Sequence, residues 1–135
     1  MILATPRTAA RRTPMAIALW TTTVLLAVFF TMMGLRKLLG LGGWAGRFAN
    51  WGYPPSFVII VGIAELAGAV MMLIPRLATI GGALLAVTML GAAATHLFHG
   101  EMARVVVPLV LFAVLTVVTV VSWAQRSEFP SRARR

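Results

Sequence analysis

The chain has 135 residues, of which 60% are hydrophobic, and it carries a net charge of +9. Its mean hydropathy of +0.93 excludes a soluble domain, because globular proteins are about 45–50% apolar and a fold of this size cannot bury so much apolar surface. It contains no cysteine, which excludes disulfide exchange, thiolate metal sites and iron–sulfur clusters held by this chain.

Four apolar runs follow a basic tail at residues 1–14. They cover residues 15–35, 56–74, 77–95 and 105–124, and Glu65 is the one charged residue within them. Each run is close to the about 20 residues that cross the hydrocarbon layer as a helix. We therefore predict an all-α integral membrane protein, with a transmembrane domain at residues 15–125 and a second basic tail at 126–135. Short connections predict an antiparallel four-helix bundle.

The first and second runs are joined by the segment GLGGWAGRFANWGYPP. It is too polar and too rich in glycine to span a membrane, and its aromatic residues are typical of the membrane interface. We predict a short interfacial helix at about residues 44–50. The alternative is that this segment forms a lid over a cavity between the helices.

The basic residues lie unevenly about the four runs. An even number of spans places both tails on one side, together with Arg76, and leaves Arg36, Lys37, Arg47 and Arg104 for the other. The tail arginines are Arg7, Arg11, Arg12, Arg126, Arg132, Arg134 and Arg135. The positive-inside rule then predicts that both termini are cytoplasmic. Basic tails beside a membrane predict contact with the lipid bilayer, not with nucleic acid.

Glu65 lies about ten residues into the second run, or ~15 Å along a helix, which is near the middle of the bilayer. Its neighbours on the same helical face are Val61, Gly62, Gly68 and Ala69. Three of these four are small, and small residues form the faces that pack against other membrane helices. We therefore expect Glu65 to point into the bundle.

Two further stripes carry candidate partners for this carboxylate. The first run has Lys37 on a face of small residues that includes Gly34, and the third has His96 in line with Thr88 and Ala92. We predict a central polar cluster of Lys37, Glu65 and His96. It is either a buried ion pair that fixes helix register or a site that handles protons or a ligand. We expect His99 and Glu101 to be solvated loop residues, and we predict no metal site.

Three stretches of this sequence resemble the DoxX family, in particular its DoxX-like branch. They are GLRKLLG at 34–40, WGYPPSF at 51–57 and the long segment at 62–101, which contains Glu65, Gly68 and the Thr95-His96 pair. The resemblance implies a four-helix protein of the bacterial inner membrane. The family's namesake is the small subunit of a thiosulfate:quinone oxidoreductase, and other relatives are linked to membrane-associated oxidative-stress complexes.

The resemblance leads to an accessory membrane subunit of a redox system, with a membrane or peripheral redox protein as partner. No covalent cofactor is expected, and quinone is the candidate ligand. Besides the polar cluster, the expected lining of its cleft is Gly34, Trp51, Tyr53, Gly62, Gly68, Thr88 and Ala92. The alternatives are a small proton-coupled transporter that uses Glu65 and a purely structural partner subunit. Catalytic residues, enzymatic activity and homo-oligomer formation stay open.

Overall fold

A computed structural model describes residues 13–127, and every regular element in that range is helical. The elements are α1 (Pro14–Leu38), α2 (Trp44–Asn50), α3 (Pro55–Leu73), α4 (Ala78–Phe98) and α5 (Met102–Ser127), with a 3₁₀ turn at Leu41–Gly43 before α2. The predicted all-α fold is confirmed, and each long helix begins and ends within three residues of a predicted span. The two predicted tails lie almost entirely outside the described residues.

Helices α1, α3, α4 and α5 are each long and apolar enough to cross a membrane. Their outer faces carry large apolar side chains that have no protein neighbour to cover them, such as Leu25, Ile63 and Val117, each more than half exposed. Such faces require lipid as the solvent. The described chain therefore has the architecture of a multi-pass membrane protein.

The helix ends follow from local chemistry. The side chain of Thr13 caps α1 by accepting a hydrogen bond from the Ala16 N–H at 3.3 Å, and Pro14 occupies the first helical position. Pro55 likewise occupies the first position of α3, without a side-chain cap. After α1 and α4 the chain turns at Gly40 and Gly100, which have φ values of 69° and 70°. This left-handed conformation costs glycine little and other residues more.

The four spanning helices pack in chain order. Helix α1 lies against α3, α3 against α4 and α4 against α5, whereas α1 and α5 contact each other in few places. One half of the bundle is filled by a core that joins all four helices, and it includes Phe30, Met72, Leu85 and Leu115. In the other half α1 and α5 stand apart.

Close helix contacts depend on glycine. A Cβ added to Gly34 would lie 2.8 Å from the carbonyl oxygen of Gly62, and one added to Gly68 would lie 2.6 Å from Cγ of Leu85. Gly34, Gly62 and Gly68 were predicted to line a ligand cleft. This prediction is wrong for all three, because they lie within the α1–α3 and α3–α4 contacts and leave no space beside them.

Candidate functional site

A cavity of about 600 Å³ occupies the half of the bundle where α1 and α5 separate. It extends from the level of α2 down to the middle of α3, and aromatic rings form much of its wall. The aromatic lining residues are Phe29, Phe30, Trp44, Phe48, Trp51, Tyr53 and Phe57. Trp51, Tyr53, Thr88 and Ala92, which the sequence predicted as cleft residues, are all part of the lining.

Lys37 and Glu65 meet at the inner end of this cavity. The Lys37 Nζ lies 2.7 Å from one carboxylate oxygen of Glu65 and 2.9 Å from the other. The two side chains are only 4% and 3% exposed, so each charge depends on the other for its neutralisation. The same Nζ lies 4.2 Å from the centre of the Trp44 ring. The glycine contact between α1 and α3 brings the two helices close enough for this pair.

His96 does not join that pair, although the sequence predicted that it would. It lines the same cavity, but its Nδ1 lies 2.6 Å from Oε2 of Glu101. The turn at Gly100 folds Glu101 back onto the last turn of α4, where its N–H donates to the carbonyl of His96 at 2.9 Å. Glu101 is a partly exposed loop residue, with 28% of its side chain accessible, and its carboxylate also contacts Arg104 at 3.2 Å.

A second polar contact connects the segment after α2 to α4. The Tyr53 hydroxyl lies 2.8 Å from the Thr95 hydroxyl, and Thr95 in turn donates to the carbonyl of Gly91 at 2.9 Å. Close by, the rings of Trp51 and His96 meet edge to face, with centres 5.2 Å apart and an angle of 88°. These contacts fix the aromatic segment over the cavity and hold the His96 ring in one orientation.

The family model described as the DoxX-like family matches residues 21–118. The chain belongs to the DoxX-like family. The match begins within α1 and ends within α5, so it contains the buried pair, the His96–Glu101 contact and the lining contributed by α2. No curated protein and no solved structure was found to match the chain.

In this DoxX-like protein the segment around α2 covers the cavity. Phe48 is buried, and its ring contacts those of Trp51, Tyr53 and Phe57 at centre distances of 5.4, 5.8 and 6.0 Å. A helix is present at residues 44–50, where the sequence predicted one. It contributes Trp44 and Phe48 to the cavity wall, which is the arrangement that the lid interpretation describes.

Glu101 lies beside the cavity, where it contacts two lining residues, His96 and Arg104. The hydrogen bond from His96 is the largest of several influences that lower the pKa of the Glu101 carboxyl, and Arg104 and the Trp51 side chain act in the same direction. This carboxylate is therefore ionised under ordinary conditions and orients the imidazole. Within residues 13–127, no three His, Cys, Asp or Glu side chains are grouped as a metal site would require.

Besides much of the apolar lining, sequence reasoning missed three residues that make polar or cation–π contacts here. Trp44, Thr95 and Glu101 all contact predicted site residues. Thr95 precedes His96 in the sequence and Glu101 follows it after five positions, so both were near a candidate that had already been identified. A loop residue such as Glu101 has no periodic pattern that would predict which helix it contacts. Its contact with α4 is set by the turn at Gly100.

Proposed function

We propose that this DoxX-like protein is an accessory membrane subunit of a redox system, and that it binds a quinone-type ligand in the cavity between α1 and α5. The observation that carries this proposal is the cavity itself. It combines an aromatic wall with a few polar groups and lies in the half of a membrane bundle where two helices separate.

The dimensions of the cavity suit such a ligand. Its volume of about 600 Å³ lies within the ~300–1,000 Å³ range of small-molecule sites, which are mostly apolar with a few polar groups that set orientation. Phe29 and Met33 on α1 and Leu111 on α5 line it, and the helices that carry them have little mutual contact. A ring with an apolar tail could therefore enter from the lipid.

An accessory role fits the chemistry available in the chain. There is no cysteine, so no thiol of this chain can transfer electrons to a bound quinone. The electrons would come from a membrane or peripheral redox protein, as the resemblance to the DoxX family implies. The chain would supply a site that holds the ligand within reach of that partner.

The proposed location is the bacterial inner membrane, with both termini cytoplasmic. The support is the excess of arginine in the tails over the connections at the other end of the bundle. In this orientation the cavity lies in the outer half of the membrane, because α1 ends and α3 begins beside it.

The direct test is binding of a decyl-tailed quinone to the purified protein in detergent micelles. We expect saturable quenching of tryptophan fluorescence, because Trp44 and Trp51 line the cavity. Decanol, which has the tail but no ring, is the control ligand and should not saturate a site. Absence of saturable binding by the quinone would contradict the proposal.

A matched pair of variants locates the site. Ala64 on α3 lines the cavity, whereas Ala67, one turn further along, is exposed on the outer face. Ala64→Leu should weaken quinone binding at least about tenfold by filling the cavity, and Ala67→Leu should leave it unchanged. An equal effect of both variants would place the ligand elsewhere.

A proton-coupled transporter receives less support from the structure. Glu65 is buried beside the cavity, as a proton carrier would be. However, the core that includes Phe30, Leu85 and Leu115 closes the bundle beyond it, and a transported substrate needs a route through that layer. Proton flux in proteoliposomes that Glu65→Gln abolishes would favour transport over ligand binding.

A further inference from the structure

We infer that the end of the bundle opposite the cavity binds the headgroup of one anionic phospholipid, with Arg126 as the residue that holds its phosphate. The site is a groove of about 210 Å³ between α1 and α5. This volume is below the ~300 Å³ at which sites for whole small molecules begin, so the groove admits a headgroup and leaves the acyl chains outside. The inference does not depend on the proposed function.

The groove lies beyond the core, where α1 begins and α5 ends. These two helices form its side walls and contact each other in few places, so a lipid can reach the groove from the bilayer. Leu19 on α1 and Met72 and Leu73 on α3 supply apolar lining. The first carbons of the acyl chains can lie along these side chains while the headgroup faces the polar residues.

Arg126 is held at this groove by a bond to another part of the chain. Its Nη1 donates to the carbonyl oxygen of Arg76 at 2.9 Å, in the turn between α3 and α4. The guanidinium is a planar group with several N–H donors, so one bond to a carbonyl leaves others for a ligand. Arginine binds phosphate through two parallel hydrogen bonds, which suits it to a lipid headgroup.

The other polar lining residues also carry donors. Ser122 and Gln125 lie three or four positions from each other or from Arg126, so the three side chains share one face of α5. Trp20 lines the groove from α1. Indole, amide and hydroxyl groups can all donate to phosphate oxygens, which accept only.

Charge at this end favours an anionic headgroup over a zwitterionic one. Within residues 13–127 the carboxylates are Glu65 and Glu101, and both belong to the cavity half of the bundle. Arg76 and Arg126 lie together at the groove end. The ammonium of phosphatidylcholine would face these arginines, whereas phosphatidylglycerol has no cation. Basic pockets between membrane helices bind anionic headgroups for this reason.

The test is a lipid titration of the purified protein followed by native mass spectrometry. Phosphatidylglycerol and phosphatidylcholine with the same acyl chains are compared at equal concentrations. We expect the first retained phosphatidylglycerol to bind about tenfold more tightly than phosphatidylcholine, the ratio that one charge-assisted hydrogen bond provides. Glycerol 3-phosphate, which has the phosphate but no acyl chains, should not be retained at the same concentration.

Two pairs of variants locate the site. Arg126→Gln should reduce the preference for phosphatidylglycerol to about twofold or less, whereas Arg36→Gln, which removes the same charge from an exposed position at the other end, should retain it. Ala78 lines the groove and Ala83 is exposed on the outer face of α4. Ala78→Leu should reduce phosphatidylglycerol retention by filling the groove, and Ala83→Leu should not.

Melting temperatures in phosphatidylcholine micelles separate lipid binding from a purely structural role of Arg126. Arg126→Gln also removes the bond to Arg76, whereas Ala78→Leu leaves that bond in place and tests the groove even if the first variant is less stable. Equal affinity for the two lipids would overturn the inference, as would a preference that Arg126→Gln and Ala78→Leu both retain. Retention of glycerol 3-phosphate as tight as that of the lipid would assign the groove to a soluble anion instead.

Discussion

Lys37 and Glu65 are buried charges that satisfy each other, and this makes their mutations interdependent. Glu65→Gln leaves an unpaired ammonium, and Lys37→Met leaves an unpaired carboxylate. Each single change is expected to lower the free energy of unfolding by about 3 kcal/mol, the usual cost of orphaning one member of a buried pair. The double variant should be more stable than Lys37→Met alone, because neither charge remains. Unfolding of the purified protein in detergent measures all three.

The neighbouring residue supplies the control for this cycle. Arg36 is exposed at the same end of α1, so Arg36→Met should change stability by no more than about 0.5 kcal/mol. Additive effects of the two single changes at Lys37 and Glu65 would mean that the contact at 2.7 Å contributes no coupling.

The carboxylate of Glu101, beside the cavity, should make the stability of the protein depend on pH. The hydrogen bond from His96, more than the charge of Arg104, lowers the pKa of this carboxyl from its ordinary value of 4.5. A lowered pKa means that the stabilisation is fully present above the ordinary value and is lost as the pH falls through the lowered one. Wild type should therefore exceed Glu101→Gln in melting temperature at about pH 5, and this difference should shrink steadily below pH 4.5.

Comparison with the variant isolates Glu101, because both proteins carry the same other titratable groups. Measurements run downward from about pH 5, a range that includes every carboxyl pKa below the ordinary value of 4.5. A difference in melting temperature that stays constant down to about pH 3 would show that the carboxylate contributes nothing through its ionised form.

Among the elements, α4 offers two glycines that differ only in their surroundings. A Cβ on Gly81 would lie 2.7 Å from the carbonyl oxygen of Gly68 and 2.8 Å from the backbone N of Met72, whereas one on Gly91 would meet nothing within 4 Å. Backbone atoms cannot move aside without separating α3 from α4. Gly81→Ala should therefore cost about 1–3 kcal/mol of unfolding free energy.

The same substitution at Gly91 should have the opposite sign. Alanine there adds no clash and removes the extra backbone freedom of glycine in a helix, which gives about 0.5–1 kcal/mol of stabilisation. Thermal unfolding of the two variants in one detergent gives the comparison. Equal effects at Gly81 and Gly91 would mean that the α3–α4 contact tolerates a wider spacing than the structure has.

The spans could be predicted from the sequence because a bilayer leaves few alternatives. An uncharged apolar run of about 20 residues must satisfy its backbone internally, and a helix does so. The contact between Lys37 and Glu65 was also predictable, since each lies on a face of small residues and their side chains lean toward each other from antiparallel helices. A short helix at about residues 44–50 was also predicted, and it is present.

The rest of the site depends on distances between helices, which one helix's sequence does not encode. A face of small residues is compatible with a cleft or with a close contact, and Gly34, Gly62 and Gly68 were placed in the wrong one of these two environments. Glu101 was missed for a related reason. Its position beside His96 is set by the turn at Gly100, whereas its polarity alone is typical of a solvated loop.

The described bundle is closed at one end and open at the other. The core joins all four spanning helices in one half, and the cavity separates α1 from α5 in the other. The side of the membrane on which the cavity opens decides which partner can reach it. The cavity end carries Arg36, Arg47 and Arg104 besides the paired Lys37, whereas Arg76 and Arg126 lie together at the other end. The sequence predicts that the tail arginines outside the described residues are on the side of Arg76 as well.

This charge difference predicts that the cavity faces away from the cytoplasm. The absence of cysteine allows a direct measurement, because any introduced thiol is the only one in the protein. Asn50 at the end of α2 and Ser127 at the end of α5 are both exposed and lie at opposite ends of the bundle. In intact bacterial cells a membrane-impermeant maleimide should label the Asn50→Cys variant at once, and the Ser127→Cys variant only after the membrane is permeabilised.

The reverse pattern would place the cavity on the cytoplasmic side, where a soluble cytoplasmic reductase could reach it. Labelling of both variants in intact cells would instead indicate dual insertion, which the uneven arginine distribution argues against.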